Sequence, residues 1–583
     1  MKQRLSVSIL VCAAILLLVC SCGKKRAQND AIRILWARDP EALDPLLLAN
    51  QAAIDASSLL HVSLLQPEAS TNRIAPALAE SLPSVQLVGD SLTRLGYRIR
   101  PLAAWDTGQP VLATDVAFTL KLMFCPGMPN EMLRSRYRFI QAVQASPTSP
   151  RDFTIVCRGQ AVEYARTSGD FFILSEANLD PRGLLRRYTL AALQHEPAPT
   201  LDSEAQAVVQ RYRAVATGPS ASKVAGCGPY QLIRWEKDRY LRFRRKPRWW
   251  ADQLHPAAPA VLRARPKQLD YVIIPDAATA TLALQRGDVD VYPQMPAREF
   301  ARLRASATGP KSLNFYSTPS FDVVMAGFNN RRPALADQLT RQALARCFDA
   351  AGLLRATQMG QGIRTASIIS PIDRANYNDS LALIPFDPDA ATKLLRQAGW
   401  QRTGPETTWR RQLAPGPQQQ LRLTVRYRTD ESAFATVALQ FQAAAAQIGI
   451  PITLQPTESV AFTAAAQAGD FDVYVRMLRG NPFMFNFMPL FHSQGAGNTL
   501  GFSSPAVDQL VTAINKAANE TERAKLLRRF QALLQQEAPL VPLFFVSNRV
   551  AVNRRIKGLQ ITSLKPGYVI TEAERVADAP PQP

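Results

Sequence analysis

Few side chains in this sequence are placed to do chemistry together. Histidine occurs four times in 583 residues, at His61, His195, His255 and His492, a scatter too wide to propose a metal cluster. The nucleophile elbow G-x-S-x-G, the zinc motif H-E-x-x-H and the phosphate loop G-x-x-x-x-G-K followed by Ser or Thr are all missing. Asp288 and Asp290 in RGDVDV pair two carboxylates, but at period two they share one strand face. A solvated edge explains them more simply than a general acid and base. No catalytic residue, metal or cofactor is therefore expected. What remains is a chemistry of attachment, at two N-terminal cysteines, and one of recognition, in the stretch RMLRGNPFMFNF that begins at Arg476.

The run LLLVCSCGKKR, Leu16 to Arg26, closes a segment built like an export signal. Lys2 and Arg4 give a positive start, and Leu5 to Val19 is almost unbroken apolar sequence. About 15 residues is short for a membrane span, which needs roughly 20, but suits the apolar region of a signal peptide. Val19-Cys20-Ser21-Cys22 resembles a bacterial lipobox, which implies cleavage before Cys22 and acylation of that cysteine; an ordinary cleaved signal is the alternative. Stable anchoring takes more than one acyl chain. Residues 1–21 are read as the signal and 22–30 as a polar, lipidated tether. No second apolar stretch of that length follows, so the rest is expected outside the cytoplasm, in the periplasm or cell envelope, held to a membrane by its lipid. Cys125, Cys157, Cys227 and Cys347 stay in the mature chain at spacings that fit no zinc pattern. An oxidising compartment permits a Cys125–Cys157 bridge; buried free thiols are equally compatible.

Elements able to position a recognition site must come from a large chain. Its 583 residues exceed a single core's practical limit of about 250–300, so two or more lobes are expected. Losing Lys2 and Arg4 with the signal lowers the net charge from +21 to +19, a balance that raises the question of nucleic acid. The densest basic run, RWEKDRYLRFRRKPRWW, answers it. Leu241 and Phe243 alternate with Arg242 and Arg244, the pattern of a strand with one solvated face, and export also argues against nucleic acid. Helical spacing marks Ala113 to Phe124, through Val116, Leu120 and Phe124, while the Pro- and Ala-rich region from Glu196 to Ser222 reads as a surface loop. Later, QLRLTVRY, an Ala-rich helix from Glu431, IPITLQ, a helix from Val460 and FDVYVRML succeed one another as β-α-β-α-β, favouring a mainly parallel sheet. Asp387, Pro388 and Gly399 mark the ends of one helix, and Ser504-Pro505 opens another that faces a partner from about Glu522 to Glu537.

Eight segments in order give the chain a wider likeness. EALDP, RIAPALAESL, AAWDTGQPVLATDVAFTLK, GCGPYQLIRW, RGDVDV, FNNRRPALADQLTRQALARCFD, ATKLLRQAGW and GDFDV together resemble the peptide/nickel-type extracellular solute-binding proteins, the dipeptide- and oligopeptide-binding proteins of ABC importers. The resemblance implies an α/β, two-lobed periplasmic-binding-protein fold with a hinge and an interlobe cleft. Lobe 1 would span 31–310, with an inserted β-rich subdomain near 69–200; lobe 2 would span 311–549; residues 550–583 would return to lobe 1 and end as a tail. It further implies a monomer that takes a peptide or small molecule, meets an ABC permease with its ATPase, and does no catalysis. A ligand sensor or envelope interaction protein on the same fold, without transport, is the alternative. WDTG and CGPY are expected as structural turns.

The chain departs from the family where peptide binders carry an aspartate for the cargo's α-amine, because Asn481 falls at that position. An amide supplies no counter-charge, and losing a charged partner costs roughly 1.5–3 kcal/mol, up to about a hundredfold in affinity. Arg476 and Arg479 nearby would favour an anionic group, unless they face solvent or another acid takes over the role. Phe483, Phe485 and Phe487 are read either as cleft aromatics or as core, and Asn329 either as a clip for backbone groups or as a cleft residue.

Overall fold

The computed structural model describes residues 30–576, apart from 49, 90, 217–223, 405–407, 413–415, 481 and 484. The signal, Cys22 and Asn481 thus lie outside the described residues. The first strand, β1 (Ala31–Trp36), is buried along nearly its whole length, as a strand covered on both faces must be. It joins β2 (Tyr230–Glu236), β3 (Tyr240–Arg245), β4 (Gln268–Ile273), β5 (Val291–Tyr292), β6 (Leu313–Phe328), β7 (Leu423–Arg428), β8 (Ile452–Thr457), β9 (Val473–Leu478) and β10 (Leu540–Asn553). Among the described residues these form an 11-stranded sheet in the order β8-β7-β9-β6-β10-β5-β1-β4-β3-β2, with Gly362–Arg364 pairing β10 off that path.

Two strands bind the molecule into one piece. β6 and β10 pair antiparallel from Leu313↔Asn553 to Gly327↔Leu540, with irregular register between Pro319 and Val323 and between Val324 and Met325. At one end Leu313 packs with Leu35, Phe300 and Ala551. At the other, Val324, Ala326 and Phe328 share a core with Leu423, Val425, Val473 and Val475. A separate core gathers Ile32, Ile34, Leu241, Phe243 and Leu269. The chain therefore has an α/β half on each side of a pair of crossing strands.

Local chemistry explains most elements. β7, the helix Ser432–Gln447, β8, the helix Ser459–Ala468 and β9 form the expected parallel unit; β9 then meets β6 antiparallel, so the whole sheet is mixed. Asp387 accepts from the Ala390 N–H at 2.8 Å and Gly399 takes φ 84° just past Pro388–Gln397. Ser504 caps Pro505–Lys516, whose Val507, Leu510, Val511 and Ile514 are buried in one cluster with Leu527, Phe530 and Leu534 of Glu520–Glu537. In β3, Leu241 and Phe243 are buried while Arg244 is exposed and Arg242 pairs with Asp270 at 2.9 Å.

Two expectations fail. The region read as a surface loop contains the helix Ser203–Ala216, because Ala205, Val208, Val209, Tyr212 and Ala216 make a helical stripe that packs into the core. Asp290 is no solvated edge: it is fully buried, accepts from the Arg33 N–H at 2.9 Å, and pairs with Arg555 at 2.5 Å and Arg575 at 3.3 Å. Its charge, tolerated inside because two guanidiniums meet it, ties the start of the sheet to the C-terminal return. Cys125, Cys157, Cys227 and Cys347 are buried free thiols.

Candidate functional site

The cavity of interest lies where the crossing strands lose register. It encloses about 490 Å³, within the roughly 300–1,000 Å³ usual for small-ligand sites. One wall is the helix Gln51–Leu60, with Arg136, Asp170 and the segment 560–572; the other is Ser320, Phe321 and Asp322 of β6 with Gly480, Pro482 and Phe483. Both halves therefore contribute. A depression of similar volume, about 470 Å³, lies against Arg33, Arg242 and Asp270, but it is lined from one half only and is more open to solvent.

Among the charged side chains of the cavity wall, carboxylates outnumber cations. Asp55, Glu68, Asp170, Asp322 and Glu572 face it against two cations, Arg136 and Lys565. Asp170 is engaged by Arg136 and by the Tyr137 hydroxyl, which donates at 2.6 Å. Asp55 projects from an apolar helix and accepts from Gln51 Nε2 at 2.8 Å. Burial pushes its carboxyl up to about 7, opposed by that hydrogen bond and by the charge of Lys565. Asp322 is only 5% exposed. Its Oδ1 accepts from the Gly480 N–H at 3.3 Å and its Oδ2 lies 2.5 Å from Lys565 Nζ. Its own N–H donates to Ser320 Oγ at 3.2 Å, and Ser320 donates to the Val546 carbonyl at 2.7 Å.

The two halves touch across the cleft. Lys565–Asp322 is one contact; Arg38–Asp430 at 3.5 Å and Arg166–Glu520 at 3.0 Å are others. Arg38 and both members of Arg166–Glu520 are solvent-exposed, while Asp430 is mostly covered; exposed pairs of this kind are worth about 0–1 kcal/mol, so their grip is weak individually.

The WDTG and CGPY turns are structural in their contacts. Gly108 in WDTG takes φ 82°, a region that favours glycine. Asp106 accepts from the Gly226 N–H at 3.1 Å and pairs with Lys246, while Trp249 and Trp250 both donate to the Cys227 carbonyl, so WDTG and CGPY dock on one another. Nearby His61 is buried and pushed down to about 3 by burial, helped by the Lys246 charge, so it is neutral. Among the described residues no group of three or more His, Cys, Asp or Glu is placed to hold a metal ion, and no helix is long and apolar enough to cross a membrane.

A cleft walled by both halves of an α/β chain is a device for enclosing a solute, and the comparisons with known proteins agree. The model of the bacterial extracellular solute-binding proteins, family 5, matches residues 73–498. The chain belongs to that family. It is 22% identical over 557 residues to heme-binding protein A of Haemophilus influenzae, covering 92% of this chain and 90% of that protein. It is 24% identical over 550 residues to a probable di/tripeptide-binding protein 5 of Pseudomonas aeruginosa, covering 92% and 94%. The solved oligopeptide-binding protein AppA from Bacillus subtilis, in complex with a nonapeptide, superposes with a TM-score of 0.70 at 18% identity, over 94% of this chain and 99% of that one. As a family 5 protein the chain is a solute-binding component of the ABC-importer type and not an enzyme.

Within this family 5 cleft the sequence-derived candidates separate. Phe483 lines the cavity. Phe485 lies in the core beneath the Arg523 guanidinium at 5.1 Å, and Phe487 stacks on Phe530 at 4.9 Å. Asn329 is corrected outright as a cleft residue: it is 1% exposed, and its amide donates to the Gly469 and Phe471 carbonyls, both at 2.9 Å. Arg476 lies over the Tyr474 ring at 5.9 Å and Arg479 is exposed; neither lines the cavity, as the alternative of solvent-facing arginines has it, and carboxylates outnumber cations on its wall. Asn481 falls outside the described residues, but its neighbours Gly480 and Pro482 line the cavity. Sequence reasoning missed Asp55, Asp322 and Lys565. The first two carried a legible signal: a lone acid inside QAAIDASSLL and inside SFDVVMAGF, where an unpaired charge would not be buried without purpose.

Proposed function

We propose that this family 5 protein is a lipid-anchored receptor, acylated at Cys22, that delivers a small peptide or peptide-like solute to an ABC permease from the outer side of the cytoplasmic membrane. The observation that carries the reading is the 490 Å³ cavity with walls from both halves. A solute held there bridges the two walls, and ligand shifts a two-state equilibrium only by binding the closed form better. Its size suits a short peptide rather than a long one. The acidic wall supports a cargo with a positive group and argues against the anionic cargo that Arg476 and Arg479 suggested. The test is native mass spectrometry of the chain lacking residues 1–22, followed by denaturation to identify what leaves. Released short peptides are the expected result; a protein that neither carries nor takes up any di- or tripeptide overturns the reading. The anchor is tested separately, since Cys22→Ser should move the protein from the membrane to the soluble envelope fraction.

A further inference from the structure

The Lys565–Asp322 pair has a property that the other cross-cleft contacts lack: both members line the cavity. Asp322 comes from β6 and is 5% exposed; Lys565 comes from the turn between Gln560–Ile561 and Tyr568–Val569, and its side chain is 27% exposed. The carboxylate is fixed in place by the Gly480 N–H and by the Ser320 link to β10, whereas the lysine reaches it on a flexible four-carbon stem. Gly480 immediately precedes Asn481. The carboxylate therefore meets the backbone one residue before the position at which peptide binders of the resembled family carry an aspartate.

We propose that Asp322 is the receptor for the cargo's ammonium group and that Lys565 is a resident ammonium which the cargo displaces. This rests on the peptide reading above and names its recognition chemistry. An ammonium on the cargo reproduces the charge-assisted contact that Lys565 makes at 2.5 Å, so exchange leaves no buried carboxylate without a cation. Lys565, once released, remains in a cavity that Asp55, Glu68 and Glu572 also line, so the lysine is not left among apolar groups alone. Cargo lacking a positive amine cannot evict the lysine. The pair thus acts as a filter, since the site is blocked by its own lysine to everything that does not outbid it.

The experiment offers the chain lacking residues 1–22, refolded from denaturant to strip any carried solute, a mixture of di- and tripeptides with free amino termini. The same mixture after complete N-acetylation is offered in parallel, and uptake is read by native mass spectrometry. The wild type should favour the free-amine mixture by about tenfold or more, the loss expected for a charged hydrogen bond. Asp322→Asn should erase that preference. Lys565→Met should strengthen free-amine binding severalfold, because the competitor is gone, while leaving the acetylated mixture weak. The preference of the wild type needs no variant, so a folding defect in Asp322→Asn cannot mask the outcome. Equal binding of both mixtures by the wild type, a preference that survives Asp322→Asn, or weaker free-amine binding by Lys565→Met overturns the assignment while peptide binding stands. A wild type that binds neither mixture overturns both.

Discussion

Replacing Asp55 with asparagine should make the protein more stable at high pH and leave it unchanged at low pH. The carboxyl's ordinary value is 3.8 and burial lifts it to about 7 in the folded chain. Below about pH 4 both folded and unfolded states hold the proton, so the group contributes nothing. Between about pH 4 and 7 the unfolded chain has released its proton and the folded one has not, so stability falls as pH rises. Above about pH 7 the cost is constant. At roughly 1.4 kcal/mol for each tenfold change in the acid constant, the gap from 3.8 to about 7 corresponds to about 4 kcal/mol as an upper bound. Asparagine keeps an acceptor for Gln51 and never ionises. Urea unfolding of wild type and Asp55→Asn at about pH 4.5 and about pH 8 isolates the effect, since every other titration cancels in the difference. The variant should gain about 1 kcal/mol at the lower pH and a few kcal/mol at the higher one. Adding Lys565→Met to the wild-type Asp55 background should widen the gap slightly, because the Lys565 charge adds to the hydrogen bonds from Gln51 and Trp36 that restrain the rise. A difference between the two proteins that does not change with pH refutes the reasoning.

Asp290→Asn should cost about 3–5 kcal/mol, because it leaves Arg555 and Arg575 without their buried counter-charge; urea unfolding and faster proteolysis of the C-terminal return would both report it. Gly228→Ala should cost about 1–3 kcal/mol: a Cβ there meets the Leu59 carbonyl oxygen at 2.6 Å and the His61 nitrogen at 2.8 Å, both backbone, so no side chain can swing aside. In a chain beginning at Asp30, Cys125, Cys157, Cys227 and Cys347 should resist a thiol reagent at about pH 8 until urea unfolds the protein, since burial pushes each thiol up to about 12. Reaction in the folded state would contradict that burial.

Patterned elements were legible and long-range partners were not. The unit from Leu423 to Leu478 reads correctly because its strands alternate and its helices repeat at helical spacing, signals that belong to neighbours in sequence. Asp387 and Ser504 read correctly because a cap acts within one turn. Asp290 was misread because its partners, Arg555 and Arg575, lie 265 and 285 residues away. The charged groups of the cavity wall were illegible for the same reason. Arg476 and Arg479 are near Asn481 in sequence, but the groups that meet the cavity, Asp55, Asp322 and Lys565, come from three distant segments. Proximity along the chain was a poor guide to proximity across the cleft.

The loss of register in β6 has a mechanical meaning. Between Pro319↔Ser547 and Val323↔Phe545, three residues of β6 face one of β10, the geometry of a bulge, where a ladder bends with the least loss of hydrogen bonds. A bulge bends its strand, and Ser320, Phe321 and Asp322, which form this one, are also cavity wall. A solute contacting Asp322 therefore bears on the bend itself, where β6 passes between the two halves. A small change in the angle of that bend would displace the outer rims most, the surfaces on which a membrane partner could tell a loaded molecule from an empty one.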